Sequence, residues 1–243
     1  MAVKTRNKQQ VTRNTLALCL LTAPALAQQV LVQADVAADT LAPRTGPNRR
    51  LFGHFYLGYA LAAGPAGGSG VALRYGTGSA EAQAGGRLKY RLSQTLALTA
   101  DLRYAFLRYA LAQEAGKTVP SPALHEAEQL VFHQLQSDVG LRLNVGERGN
   151  SVGRYLDLLA WGSWAFAREY RADEVPPPGA SSLQTTVGNP PYLRALVGGL
   201  GARLGQNRYA LTARYRLSSP WTTDYPAWPA LPRWLVGVEL GLF

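Results

Sequence analysis

Ser79-Ala-Glu-Ala-Gln-Ala-Gly-Gly-Arg-Leu-Lys-Tyr-Arg-Leu92 changes character at almost every step. Ala82, Ala84, Gly86, Leu88, Tyr90 and Leu92 fall on one side of an extended chain. Glu81, Gln83, Arg87, Lys89 and Arg91 fall on the other. A helix would scatter the charges around its circumference, so the period of two specifies a strand with one apolar and one charged face.

The same alternation recurs on either side of this stretch. It predicts strands at about 51–61, 79–92, 95–109, 129–145, 154–170, 192–204, 208–217 and 233–243. The connections between them run long, short, long, short, long, short, long. The short ones are Ser93-Gln94, the polar turn 146–153 and Gly205-Gln206-Asn207. The long ones are the Gly-rich 62–78, read as flexible apart from a hairpin extension at Val71–Tyr75; 110–128; the Pro-rich 171–191; and 218–232.

Met1 to Ala27 reads as a signal peptide. Lys4, Arg6, Lys8 and Arg13 precede the apolar Leu16–Leu21, and Ala25-Leu26-Ala27 is a small-residue cleavage site. Cys19, the single cysteine, lies within it behind Leu18, which does not fit a lipobox. Residues 28–50 read as a periplasmic lead-in. The net charge of +10 drops to +6 once those four basic residues are removed. The remaining bases are spread over strands, and export argues against a nucleic-acid partner. No apolar run reaches the roughly 18 residues of a membrane helix.

Alternation alone cannot tell a soluble barrel from a membrane barrel. Three features favour the membrane. Connection lengths alternate. The apolar faces end in aromatics, among them Tyr90, Tyr104, Tyr155, Tyr209, Trp234 and Phe243, as interfacial girdles would. A closed barrel also pairs every backbone group without disulfides, as lipid requires. The expected fold is all-β: an eight-stranded antiparallel transmembrane β-barrel, an up-and-down meander with long extracellular loops and short periplasmic turns.

Asp101–Tyr109, Gly153–Leu158, Asn207–Tyr215 and Arg233–Phe243 give the chain a family resemblance over roughly 51–243. It resembles the small OmpA/OmpX-type outer-membrane barrels, in particular the uncharacterised Gram-negative "outer membrane protein beta-barrel domain" proteins. The resemblance implies an outer-membrane location, a lipid and lipopolysaccharide environment, and a monomer. It also implies that Phe243 is the signal read by the barrel assembly machinery. Glu239 and Gly241, which share a face with Phe243, depart from the bulky apolar residues of that pattern.

Candidate chemistry is sparse. Glu81, Arg87, Lys89, Arg91, Asp101, Arg103, Asp138, Arg142, Asp157, Arg203, Arg214, Arg216 and Glu239 are expected inside. An eight-stranded interior has room only for side chains. Paired charges and no large pore are therefore expected, with a narrow anion-preferring channel as one alternative. The other is a lipid-modifying hydrolase, for which His133 and Ser137 would be needed with an acid. His125-Glu126 lacks the second histidine of a zinc-protease helix. Gly64, Gly67, Gly68, Gly70, Gly76 and Gly78 follow a strand but open no helix, so they make no phosphate loop. No catalytic, cofactor-binding or metal residue is assigned, no cofactor is expected, and the chain reads as a non-enzyme with a structural or surface-interaction role.

Two surface features remain. Trp221, Tyr225 and Trp228 form an aromatic group in the last loop, read as a girdle or an exposed binding cluster. Arg108, Arg168 and Arg194 share strand parity with lipid-facing residues at the loop end, where lipopolysaccharide phosphates would lie.

Overall fold

A computed structural model describes residues 46–66, 70–146, 150–175, 183–225 and 228–243. Residues 1–27, expected to be a signal peptide, and most of the expected lead-in 28–50 lie outside them. The described chain is a closed antiparallel barrel. Its strands are β1 (Leu51–Ala63), β2 (Ala80–Arg91), β3 (Leu96–Leu111), β4 (Ala127–Val145), β5 (Arg154–Glu174), β6 (Leu183–Gly188), β7 (Leu196–Gln206), β8 (Tyr209–Arg216) and β9 (Trp234–Leu242). β1 pairs with both β2 and β9, and β4 with β5, so the ring has no free edge.

Eight of these strands build the wall, and β6 is an addition. The Pro-rich connection 171–191 was expected to be loop throughout. Instead, β5 continues to Glu174, and β6 pairs with its far end from Glu169↔Gly188 to Glu174↔Leu183. β7 then pairs with the lower part of β5, from Trp164↔Leu196 to Arg154↔Gln206. The sixth wall strand is thus interrupted at 189–195, where Asn189 takes a positive φ of 48°. Backbone pairing reaches well into a segment whose prolines and polar residues suppressed the strand signal.

β5 also carries a bulge. Gln134 opposes Ala165 and His133 opposes Ala167, which leaves Phe166 as the extra residue. The alternation changes phase there. Beyond it Arg168, Tyr170 and Ala172 oppose the buried Phe132, Leu130 and Glu128. The expectation that Arg168 shares the lipid-facing parity is corrected for that reason.

Within the Gly-rich connection, the Val71–Tyr75 segment expected to extend the hairpin lies against the end of β3. Leu73 bridges Leu111 at the end of β3, and Gly70, at φ 97°, accepts the amide of Thr118 through its carbonyl. Val71 and Leu73 are buried.

The wall has opposite characters on its two sides. Phe55, Leu88, Leu102, Val139, Leu158, Leu200, Leu211 and Val238, one from each wall strand, all point outward and are exposed, Phe55 to 71%. Every charged residue expected inside is buried except Arg91, which is half-buried at the rim. Tyr155 is an exception to the outer girdle: it is buried, with the Arg142 guanidinium 3.6 Å above its ring.

Candidate functional site

The interior divides into two layers. Nearer the end that carries the short turns lies a single ionic network. Arg87, Arg103, Arg142, Arg203 and Arg214 meet an equal number of carboxylates: Glu81, Asp101, Asp138, Asp157 and Glu239. Strand register makes several of these pairs. Arg87 lies opposite Asp101, and Asp157 lies between Arg142 and Arg203.

Register also creates a conflict, because Asp101 faces Asp138 directly on β3 and β4. Arg203 resolves it from β7, two strands beyond β4 in the ring. Its guanidinium lies 2.9 Å from Asp101, 2.8 Å from Asp157, 2.9 Å from Glu239 and 3.7 Å from Asp138. Arg87 reaches Asp101 at 2.8 Å and Glu239 at 2.6 Å, and Arg103 reaches Asp138 at 2.5 Å. Gln136 joins the remaining pair to the rest. Its carbonyl accepts from Arg103 and Arg214, each at 2.8 Å, and its amide donates to Glu81, which also pairs with Arg214. A charge buried this deeply is tolerable only with such compensation.

The other basic residues use backbone and neutral partners at the layer's margins. Lys89 donates to the Pro47 carbonyl and Arg91 to the side chain of Asn48 at 3.2 Å, both at the short-turn end. Arg216 donates to the Tyr109 hydroxyl and to the carbonyls of Leu231 and Pro232. Phe243 closes the short-turn end beside His54 and Phe52, with ring centroids 5.0 and 5.7 Å away.

Above the ions, toward the long loops, the interior turns apolar. Leu107, Tyr109 and Leu111 of β3, Leu130 and Phe132 of β4, and Tyr170 of β5 point inward and are buried. Loop residues Val71, Leu73, Val119, Leu193, Trp221 and Leu231 fill the space between them. Sequence reasoning missed this layer, although the signal was available. Leu107, Tyr109 and Leu111 continue the parity of Asp101 and Arg103. A cavity of about 20 Å³ remains where the layers meet, bounded in part by Glu81, Gln136, Tyr109 and Arg216. That is space for one water.

The aromatic group of the last loop belongs to this cap. Trp221 is 2% exposed and donates its indole N–H to the Pro229 carbonyl at 2.8 Å. Trp228 packs between Trp221, Tyr225 and Tyr192 at centroid distances of 5.0, 4.8 and 5.1 Å. The expected girdle or exposed cluster is therefore corrected: parity does not govern a loop that folds back into the mouth. Burial there, followed in weight by the Glu128 carboxylate, pushes the Tyr192 hydroxyl up to about 12. Glu128 is itself buried, paired with Lys117 and bonded by Gln113 at 2.8 Å.

The three rim arginines are not brought together. Arg108 donates to the carbonyls of Thr77 at 2.7 Å and Gly78 at 3.2 Å. Arg168 donates to the Leu193 carbonyl at 2.6 Å. The Arg194 side chain makes no hydrogen bond among the described residues, while its amide donates to Pro220. The histidines are scattered as well. His133 faces outward, 2.7 Å from the Tyr104 hydroxyl and edge-on to Phe106. No described carboxylate pairs with it, and Ser137 has no hydrogen bond to it. His125 lies 3.4 Å from the Tyr170 hydroxyl and 4.0 Å from Glu174.

No family model and no curated protein matches the chain. Among solved structures it is similar to Ail, the attachment invasion locus protein of Yersinia pestis. Two Ail structures match, one of them in complex with the heparin analogue sucrose octasulfate. Each is 12% identical over 78% of this chain and 97% of that chain, with TM-scores of 0.36 and 0.35.

Proposed function

We propose that this chain is an integral outer-membrane barrel with a structural or surface-interaction role, sealed against large solutes. The observation that carries this reading is the inversion of polarity. A continuous belt of exposed Leu, Val and Phe encircles a wall whose inside holds buried arginines and carboxylates. Water would penalise that belt over its whole area, whereas hydrocarbon accommodates it, and closure of the ring through β1–β9 and β4–β5 leaves no open edge in the eight-stranded wall.

The two interior layers support the sealed reading. The ionic network fills the cross-section near the short turns, and loop side chains fill it near the mouth. Buried arginines and carboxylates are equal in number within the network. The surplus of bases that suggested an anion path lies at its margins, engaged with carbonyls and neutral side chains. The loops are the part that would meet a partner outside the cell. At their base, Arg194 is the best placed of the three rim arginines to meet a lipopolysaccharide phosphate, since Arg108 and Arg168 already hold loop carbonyls.

The test uses the protein without its signal peptide. It should require detergent for solubility and migrate faster unheated than heated on a gel. In planar bilayers it should give no reproducible porin-sized steps. A detergent-free soluble monomer would overturn the membrane reading, and stable large conductance would overturn the sealed one.

A further inference from the structure

The wall strands do not shut the short-turn end by themselves. Phe243 and Phe52, from adjoining strands, cover one side of it. Residues 46–50, which precede β1, cross the rest. Asn48 donates its backbone amide to the Asn150 side chain at 3.3 Å and its side-chain amide to Gln94 at 3.5 Å. Gln94 lies in the turn between β2 and β3, and Asn150 in the turn between β4 and β5. In the ring of eight wall strands β5 stands opposite β1. The segment therefore spans the base of the barrel before it enters β1.

Its path is specified locally. Gly46 has a φ of 82°, where a side chain is strained, and a Cβ there would run into the Asn150 side chain. The Gly46 carbonyl accepts the Arg49 amide at 3.3 Å, and this turn presents Pro47 and Asn48 to the interior. The Pro47 carbonyl accepts from the Lys89 ammonium, and the Asn48 side chain from Arg91 at 3.2 Å. Lys89 is 1% exposed beneath the ionic layer, and Asn48 is buried with it. The last link to the wall ladder is at Arg50, whose carbonyl accepts the Arg91 amide at 2.7 Å. From Arg49 back to Gly46 the described attachments to the wall are made by side chains of the barrel and its turns.

We propose that residues 46–50 are a hinged strap that closes the short-turn end over Lys89 and swings at Arg50 without disturbing the wall. Shut, it keeps water from Lys89 and from the ions above. Open, it exposes the ammonium, which recovers its hydration as it loses the Pro47 carbonyl, so opening forfeits only the strap's own contacts. The inference deepens the sealed reading above by naming what shuts this end, and a failure of that reading shows separately in gel migration and conductance.

Lys89 and Lys117 are the only lysines beyond residue 27, and both are buried, one at each end of the barrel. The experiment is amine labelling of the detergent-folded chain from Gln28 onward with sulfosuccinimidyl acetate, read by peptide mass mapping. In the folded wild type both lysines should label slowly, and after heating both should label at once. Gly46→Val should speed labelling of Lys89 roughly tenfold, equivalent to about 1.4 kcal/mol of closure. Lys117 labelling and heat-modifiable migration should stay unchanged. Asn150→Ala trims an exposed turn, so it should fold even where Gly46→Val does not, and it should act in the same direction. Asn48→Cys with Asn150→Cys should leave Lys89 reactive until a short bismaleimide links the two and restores protection. Prompt labelling of Lys89 in the folded wild type would overturn the proposal, as would a Lys89 that stays protected in Asn150→Ala and in the unlinked cysteine pair. A joint rise at Lys89 and Lys117 with loss of heat-modifiable migration in Asn150→Ala would also overturn it, because the segment would then be part of the wall.

Discussion

The two layers of the barrel interior are equally buried but held together by different physics. In the lower layer each side chain depends on a named partner, and Arg203 serves several carboxylates at once. In the upper layer Leu130, Leu193 and Leu231, each fully buried, need only neighbours of suitable shape. The lower layer is built solely from wall strands, so it is formed when the ring closes. The upper layer borrows half its substance from loops, so it can come apart while the wall stays intact. An ionic interior therefore ties stability to closure, and an apolar interior ties the loops to the wall.

The sharpest way to break this contrast is to remove one ion. Arg214→Met leaves the fully buried Glu81 with only Gln136 to satisfy it. Stranding a buried charge in this way costs about 3–5 kcal/mol, whereas replacing both partners by apolar groups is often close to neutral. Arg214→Met should therefore lower the urea midpoint for unfolding from lipid vesicles far more than Arg214→Met with Glu81→Met. If the double variant were as unstable as the single one, the layer would depend on the pair itself and not on the avoidance of an unpaired charge.

The cap should respond differently. Trp221→Ala empties a site lined by Leu193, Tyr192 and Trp228, and Trp→Ala in a packed core costs about 3–5 kcal/mol. Trp221 enters from a loop, so most of that cost falls on local opening and not on the wall. The expected outcome is protease cleavage within 183–232 at concentrations that spare the wild type, with the unheated gel position unchanged. Loss of heat-modifiable migration would show that the cap is part of the same cooperative unit as the ions.

These differences explain what could be read in the sequence. The eight wall strands were legible to within a few residues because a half-buried strand writes its pattern at period two, and Ser79–Leu92 shows that pattern plainly. The interior charges were legible for the same reason. The cap was not, because Trp221 lies in a connection that has no parity to read, and Leu193, expected at the start of a strand, falls in the break between β6 and β7. Its strand contribution was written in Leu107, Tyr109 and Leu111, but inward apolar residues run against the polar-inside rule of an outer-membrane barrel. The phase change at Phe166 was hidden as well, because a bulge inserts a residue without altering composition, and it turned Arg168 from an outward residue into a clasp on Leu193.

The smallest effect separates the layers by pH. An ordinary tyrosine titrates near 10, and Tyr192 in the folded cap is pushed up to about 12, by burial first and by the Glu128 carboxylate next. The folded state thus holds its proton longer than the unfolded loop does. That preference is fully present below pH 10 and is lost as pH rises through 12, when the phenolate forms against Glu128 and among the aromatic rings. Tyr192 touches Trp221, Tyr225 and Trp228, so its ionisation should loosen the last loop. The arginines of the lower layer stay charged throughout this window, so the wall should hold. Limited proteolysis and intrinsic tryptophan fluorescence between pH 9 and 12 should show the loop releasing while unheated gel mobility persists. Tyr192→Phe keeps the ring and removes the proton, so it should shift or abolish that alkaline release. An unchanged release in Tyr192→Phe would assign it to another group of the mouth.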